Sequence, residues 1–222
     1  MHDETARGDD PDSSAGNAAE NAPPADASEL EKADIEIGTK LASHRDHPAV
    51  KAAGIAGKIG DQGPLYALSA GLLICGLAAK DRRFVGSGVA MLAAITAADL
   101  GKSGIKHAVS RTRPNVLLDQ NRYDLEAGGS DDKPEQSFPS GHMAGSVAVA
   151  RAVSRNFPKA GALAGLGAIG IGLSRVAKGA HWPLDVAGGA VVGLVAEELT
   201  TGLLRLVLPH CSFAELEPDT ES

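Results

Sequence analysis

Lys106 and Arg113 stand seven residues apart, His142 follows a Pro139-Ser140-Gly141 turn, and Arg175 precedes the run His181-Trp182-Pro183-Leu184-Asp185. Together these residue types suit one kind of chemistry. Three cations complement an anion whose charge is spread over several oxygens, as on a phosphate ester, and fixed donors are what such a reaction needs most. A spacing of seven puts Lys106 and Arg113 on one face of a helix, two turns apart, and Pro114 stops that helix. Arg175 adds a planar fork suited to bidentate contact with phosphate oxygens. Ser140 is placed as a helix N-cap, Gly141 lets backbone approach a ligand closely, and free N–H groups at a helix start attract anions. His142 is then a candidate general acid for a departing alkoxide. Pro183 fits a first helical position, so His181 falls just outside a helix and Asp185 in its first turn. A hydrogen bond from Asp185 to one ring nitrogen would fix the His181 tautomer and leave the other nitrogen free to attack phosphorus.

Taken singly, each of these is an ordinary feature: a solvated charge, a Ser-Gly turn, a structural histidine. Their order and spacing make them specific. Lys106-x6-Arg113-Pro114, Pro139-Ser140-Gly141-His142 and Ser174-Arg175-x5-His181-x3-Asp185 resemble the three-part signature of the type 2 phosphatidic acid phosphatase superfamily, over roughly residues 60 to 208 and at all eleven positions. The resemblance implies two steps. His181 attacks the phosphoryl group while His142 protonates the leaving group, and water then hydrolyses the phosphohistidine with His142 acting as base. It implies no cofactor and no divalent metal, in keeping with a motif region that offers cations rather than clustered carboxylates. The substrate it suggests is a lipid-linked phosphate or diphosphate. Rival readings are a soluble acid phosphatase acting on small esters, a vanadate-dependent haloperoxidase, which is typically much longer, and a catalytically idle membrane scaffold, against which the complete motifs argue.

The elements that must position these groups are helical: an all-α, compact multi-helix bundle with about five or six membrane-associated helices. Gln62 to Ala79 is an uncharged run of 18 residues, Phe84 to Ala98 and Ala160 to Ser174 are uncharged for 15 each, and Val186 to Leu208 is interrupted only by Glu197, Glu198 and Arg205. A membrane span needs about 20 residues, and the many Gly and Ala residues suit close helix contacts in a bilayer. Residues 47–60, with Lys51 and Lys58, make a poor span and fit an interfacial element. Cytoplasmic loops favour Lys and Arg, which puts Lys80-Asp81-Arg82-Arg83 and Arg151 to Lys159 inside. All three motifs then share the non-cytoplasmic face of an integral membrane protein.

Charge divides the chain further. Met1 to Arg45 holds eleven acids and four bases, whereas the remainder holds seventeen of each. The expected domains are therefore a disordered acidic tail over 1–45, a helical phosphatase domain over 46–210 and a polar tail over 211–222. No basic excess points to nucleic acid. Cys75 and Cys211 do not make a disulfide framework, and Met1-His2-Asp3-Glu4 does not begin a secretory signal. Arg111 fits no signature position and is taken as an ordinary charge. His107 points about 100° away from Lys106 around the helix. The insert Asp119 to Gln136, rich in Asp, Glu and Gly, is expected to be a flexible loop beside the site.

Overall fold

The computed structural model describes residues 27–207. Residues 1–26 and the polar tail at 211–222 lie outside the described residues. Eight α-helices follow one another among the described residues: α1 Glu29–Ala42, α2 Pro48–Ala56, α3 Gln62–Ala79, α4 Arg82–Lys106, α5 Pro114–Gln120, α6 Gly141–Ser154, α7 Pro158–Ala177 and α8 Pro183–Val207. Proline begins α2, α5, α7 and α8, where its missing N–H costs no hydrogen bond and its fixed φ suits the first turn. Short 3-10 turns cover Gly57–Gly60 and Lys133–Glu135.

The architecture is the expected all-α bundle. The buried helix α6 is its hub, packed against α4, α7 and α8, with α3 laid along α4. Leu65, Met91, Ile95 and Val149 fill the core among Ala94, Ala98, Ala144, Ala148 and Ala152. Small residues let these helices approach closely. At Gly88 on α4, an added Cβ would lie 2.6 Å from the Leu73 backbone nitrogen of α3, so any larger residue would force the pair apart.

Three helices, α3, α4 and α7, are long and apolar enough to cross a membrane. Leu68, Ile74 and Leu77 of α3 and Leu163, Leu166 and Leu173 of α7 turn outward, as lipid-facing residues do. Helix α8 is as long as α4 but carries Glu197, fully buried, whose carboxylate accepts from Arg155 Nε at 2.9 Å, Arg155 Nη2 at 2.8 Å and Thr201 Oγ1 at 2.8 Å. A buried acid so paired is tolerated where a lone one is not. Helix α2 has 9 residues, about 13 Å of rise against a hydrocarbon core of about 30 Å, so residues 47–60 do not cross as one helix.

Three expectations need correction. Lys106 and Arg113 do not share one helix face: α4 ends at Lys106, Val109–Arg111 is extended, and Pro114 opens α5 with Arg113 as its N-cap residue instead of stopping a helix. The expectation of disorder over 1–45 does not hold at residues 29–42, because Glu29–Ala42 forms α1, with Asp34, Ile35, Gly38 and Ala42 buried and Ser28 accepting the Glu31 N–H at 3.2 Å as N-cap. The helix holds with one large apolar side chain in the core because its buried acid has a buried partner, described below. The insert Asp119 to Gln136 is also built: Val109–Arg111 pairs antiparallel with Leu125–Ala127 as strands β1 and β2. The Arg113 N–H then donates to Pro134 O, and the Ser137 N–H to Arg111 O, each at 2.9 Å.

Candidate active site

Alternation of helix direction brings the C-termini of α4 and α7 and the N-termini of α6 and α8 to one end of the bundle. Every expected site residue lies at that end. The opposite end gathers the basic connections, where Arg83 Nη2 donates to Asn156 O at 2.5 Å and the Phe84 and Phe157 rings meet at 5.0 Å.

His181 is buried between α7 and α8, with Nδ1 2.8 Å from Ser137 O. A carbonyl only accepts, so Nδ1 carries the hydrogen and Nε2 keeps its lone pair. Asp185 does not make the direct hydrogen bond foreseen for it: its Oδ2 is 3.8 Å from His181 Nδ1, too far for one. That oxygen instead accepts the Trp182 N–H at 2.7 Å and the Ser137 hydroxyl. Ser137 is therefore the link, its hydroxyl on Asp185 and its carbonyl on His181. Burial lowers the proton affinity of His181 below the ordinary histidine value; Asp185 opposes this, while Arg113 and Lys106 push the same way as burial.

Ser140 is the N-cap residue of α6, yet its side chain makes no capping bond, while its backbone N–H donates to Asp185 O at 2.9 Å. Gly141 opens that helix. Lys106 Nζ donates to Gln136 O at 2.6 Å. Arg175 Nη2 reaches Gly57 O at 3.2 Å and stands 3.7 Å from Asp61 Oδ1, and the same carboxylate oxygen lies against His142 Nε2. Burial lowers the Arg113 pKa, with Asp185 opposing and Arg175 adding to the effect, so these cations are close enough to repel. Arg113 Nε, Ser140 Oγ and Arg175 Nε are buried without a hydrogen-bond partner. Buried polar atoms are rarely left so, and three of them here share one cationic end.

Arg111, set aside above as an ordinary charge, is among the most buried residues of the region. Its Nη1 donates to Asp185 Oδ1 at 2.9 Å and its Nη2 to Asp34 Oδ2 of α1 at 2.6 Å. Burial works against its charge, but Asp185, Tyr123 and Asp34 more than offset this and hold its pKa above the ordinary range. No spacing rule marks Arg111, Asp34, Asp61 or Ser137, because their partners lie far along the chain.

A helical bundle with three helices apolar enough to cross a membrane, and with cations and two histidines gathered at one end, has the architecture of a membrane protein. The chain belongs to the PAP2 superfamily, whose profile matches residues 87–204. A curated relative, the lipid A 1-phosphatase of Rhizobium johnstonii (strain DSM 114642 / LMG 32736 / 3841), is 33% identical over 116 residues, which is 52% of this chain and 46% of the relative. The chain thus spans less than half the length of that relative. The crystal structure of Aquifex aeolicus LpxE superposes with a TM-score of 0.58 over 76% of this chain and 94% of that one, at 22% identity. The two share a fold.

Proposed function

We propose that this protein is a metal-independent phosphatase that removes phosphate from a lipid through a phosphohistidine on His181. The observation that carries the reading is the His181 tautomer: Nδ1–H is held by Ser137 O, so Nε2 is the free nucleophile where the expected cations converge. Lys106, Arg113 and Arg175, the Ser140 hydroxyl and the N–H of Gly141 hold the phosphoryl oxygens and meet the charge that builds on them. In the first step the Nε2–P bond forms as the ester P–O bond breaks, and the departing oxygen takes its electron pair together with a proton from His142. Burial and Arg175 lower the His142 pKa to about 4 against the pull of Asp61, so the bound phosphate dianion must raise its proton affinity for this step. In the second, a water oxygen bonds to phosphorus, the N–P bond breaks, His142 takes the water proton, and inorganic phosphate leaves. Among the described residues no three His, Cys, Asp or Glu side chains cluster as a metal would require, and the convergent cations supply the stabilising charge instead.

Lipid is the favoured substrate class because the site lies at the end of helices apolar enough to enter a bilayer, and because the curated relative is named for lipid A. A phosphorylated glycolipid is the first candidate. The basic connections at the opposite end favour a site on the non-cytoplasmic face. The detergent-solubilised chain should release phosphate from lipid A and from phosphatidic acid, with EDTA present, in preference to p-nitrophenyl phosphate. Turnover of the soluble ester alone would refute the lipid assignment, and complete inhibition by EDTA would refute the metal-free mechanism.

A further inference from the structure

We propose that α1 supplies a positioning residue to the site: Asp34 holds Arg111 and caps α8, and through both it sets the Asp185 carboxylate behind His181. Helix α1 lies outside the residues that match the family profile, 87–204, so family membership did not foretell its part in the site.

Asp34 uses both oxygens. Oδ2 accepts Arg111 Nη2 at 2.6 Å, and Oδ1 accepts the Leu184 N–H at 2.8 Å. Leu184 is the second residue of α8, where backbone N–H groups have no acceptor in their own helix. Asp185, one residue on, reaches back to the Trp182 N–H at 2.7 Å. The start of α8 therefore receives two carboxylates, one of its own and one from α1, and Arg111 lies between them.

Further contacts fix the arrangement. The Arg111 guanidinium lies 5.4 Å from the Trp182 ring and 5.8 Å from the Tyr123 ring. The Tyr123 hydroxyl donates to Glu31 Oε1 at 2.8 Å, a second tie to α1. The Trp182 ring packs so closely on Gly38 that an added Cβ there would lie 2.4 Å from Cε3. Asp34, Arg111 and Asp185 are 4%, 3% and 0% exposed. Apolar packing would dock a helix at lower desolvation cost than three buried charges, so a purely structural clamp does not account for the choice of residues.

This inference rests on the phosphatase reading, and the parent enzyme keeps the two apart. If the parent releases no phosphate from either lipid A or phosphatidic acid, that reading fails. If the parent is active and Asp34→Asn keeps its kcat, only this inference fails. The expected result is a kcat loss of about tenfold or more at nearly unchanged KM. Emission from Trp182, the chain's only tryptophan, should stay parent-like. In an Asp185→Asn background the same Asp34→Asn change should cost little more, because the two acids act along one route. An equal proportional loss in both backgrounds would mean that Asp34 merely supports the fold, and would overturn the proposal. Should Asp34→Asn fail to fold, Asp34→Glu, which keeps the charge on a longer arm, is judged by the same cycle.

Discussion

As the proposed nucleophile, His181 must be unprotonated at Nε2, and burial depresses its affinity for a proton. Protonation removes the nucleophile, so the acid limb of kcat should fall below the ordinary histidine value of 6.5, the sign set by a lowered pKa. An acid limb well above that value would contradict the assignment. His181→Ala should reduce phosphate release to background, with no radiolabelled phosphoenzyme trapped by rapid quenching; a labelled phosphoenzyme in that variant would place the nucleophile elsewhere. Asp185→Asn should lower kcat by about 100-fold or more with little change in KM. It should also lower the midpoint of thermal unfolding, since Arg111 loses one of its two buried counter-charges and Asp34 alone remains to balance it. The imidazoles and Arg175 were legible because their motif spacing is short-range and tied to helix starts and ends, whereas the helix expected to carry both Lys106 and Arg113 ends at Lys106, and Arg113 arrives only after β1. Arg111 was not, since its partners Asp34 and Asp185 lie 77 and 74 residues away. Ser137 was not, because its two contacts run through a backbone carbonyl as well as a hydroxyl.

Helix α1 was read as part of an acidic tail because composition averages over a segment whose burial is decided by four positions. Asp34, Ile35, Gly38 and Ala42 form its inner face, and only Ile35 of these is large and apolar. The long helices were legible for the opposite reason: a run of uncharged residues is a local property. The hairpin of β1 and β2 escaped notice because strands of 3 residues have too little alternation to register. Gly38 gives a test at this scale. Gly38→Leu puts a side chain where the Trp182 ring lies, 2.4 Å from the added Cβ, and overpacking of this kind costs about 1–3 kcal/mol. The variant should release α1 from the bundle, shift Trp182 emission to the red and lose activity in the same proportion, whereas an exposed change such as Glu36→Gln should do none of these. Full activity with α1 displaced would show that the helix does not support the site.

On the scale of the whole molecule, the two ends of the bundle differ in chemistry. One end brings together Lys106, Arg113, Arg175 and the two histidines, while the other joins Arg83 to Asn156 and Arg155 to Glu197. Positive charge in short connections holds them on the cytoplasmic side, and Lys80-Asp81-Arg82-Arg83 and Arg151 to Lys159 are the short basic connections. On that reading, alternating helices carry the proposed catalytic end to the other face. Carbonate washing should leave the full chain in the membrane pellet, and its complete release would argue against spanning helices. Sidedness follows from thiol labelling in a Cys75→Ser, Cys211→Ser background. Asp131→Cys, at an exposed position in the segment that follows β2, and Ala160→Cys, at an exposed position in the first turn of α7, should behave oppositely towards a membrane-impermeant maleimide on intact cells. Labelling is expected at 131 without permeabilisation and at 160 only after it. The reverse pattern would put the site on the cytoplasmic face and require a substrate delivered from that leaflet. The lipid would then have to be dephosphorylated before, not after, it crosses the membrane.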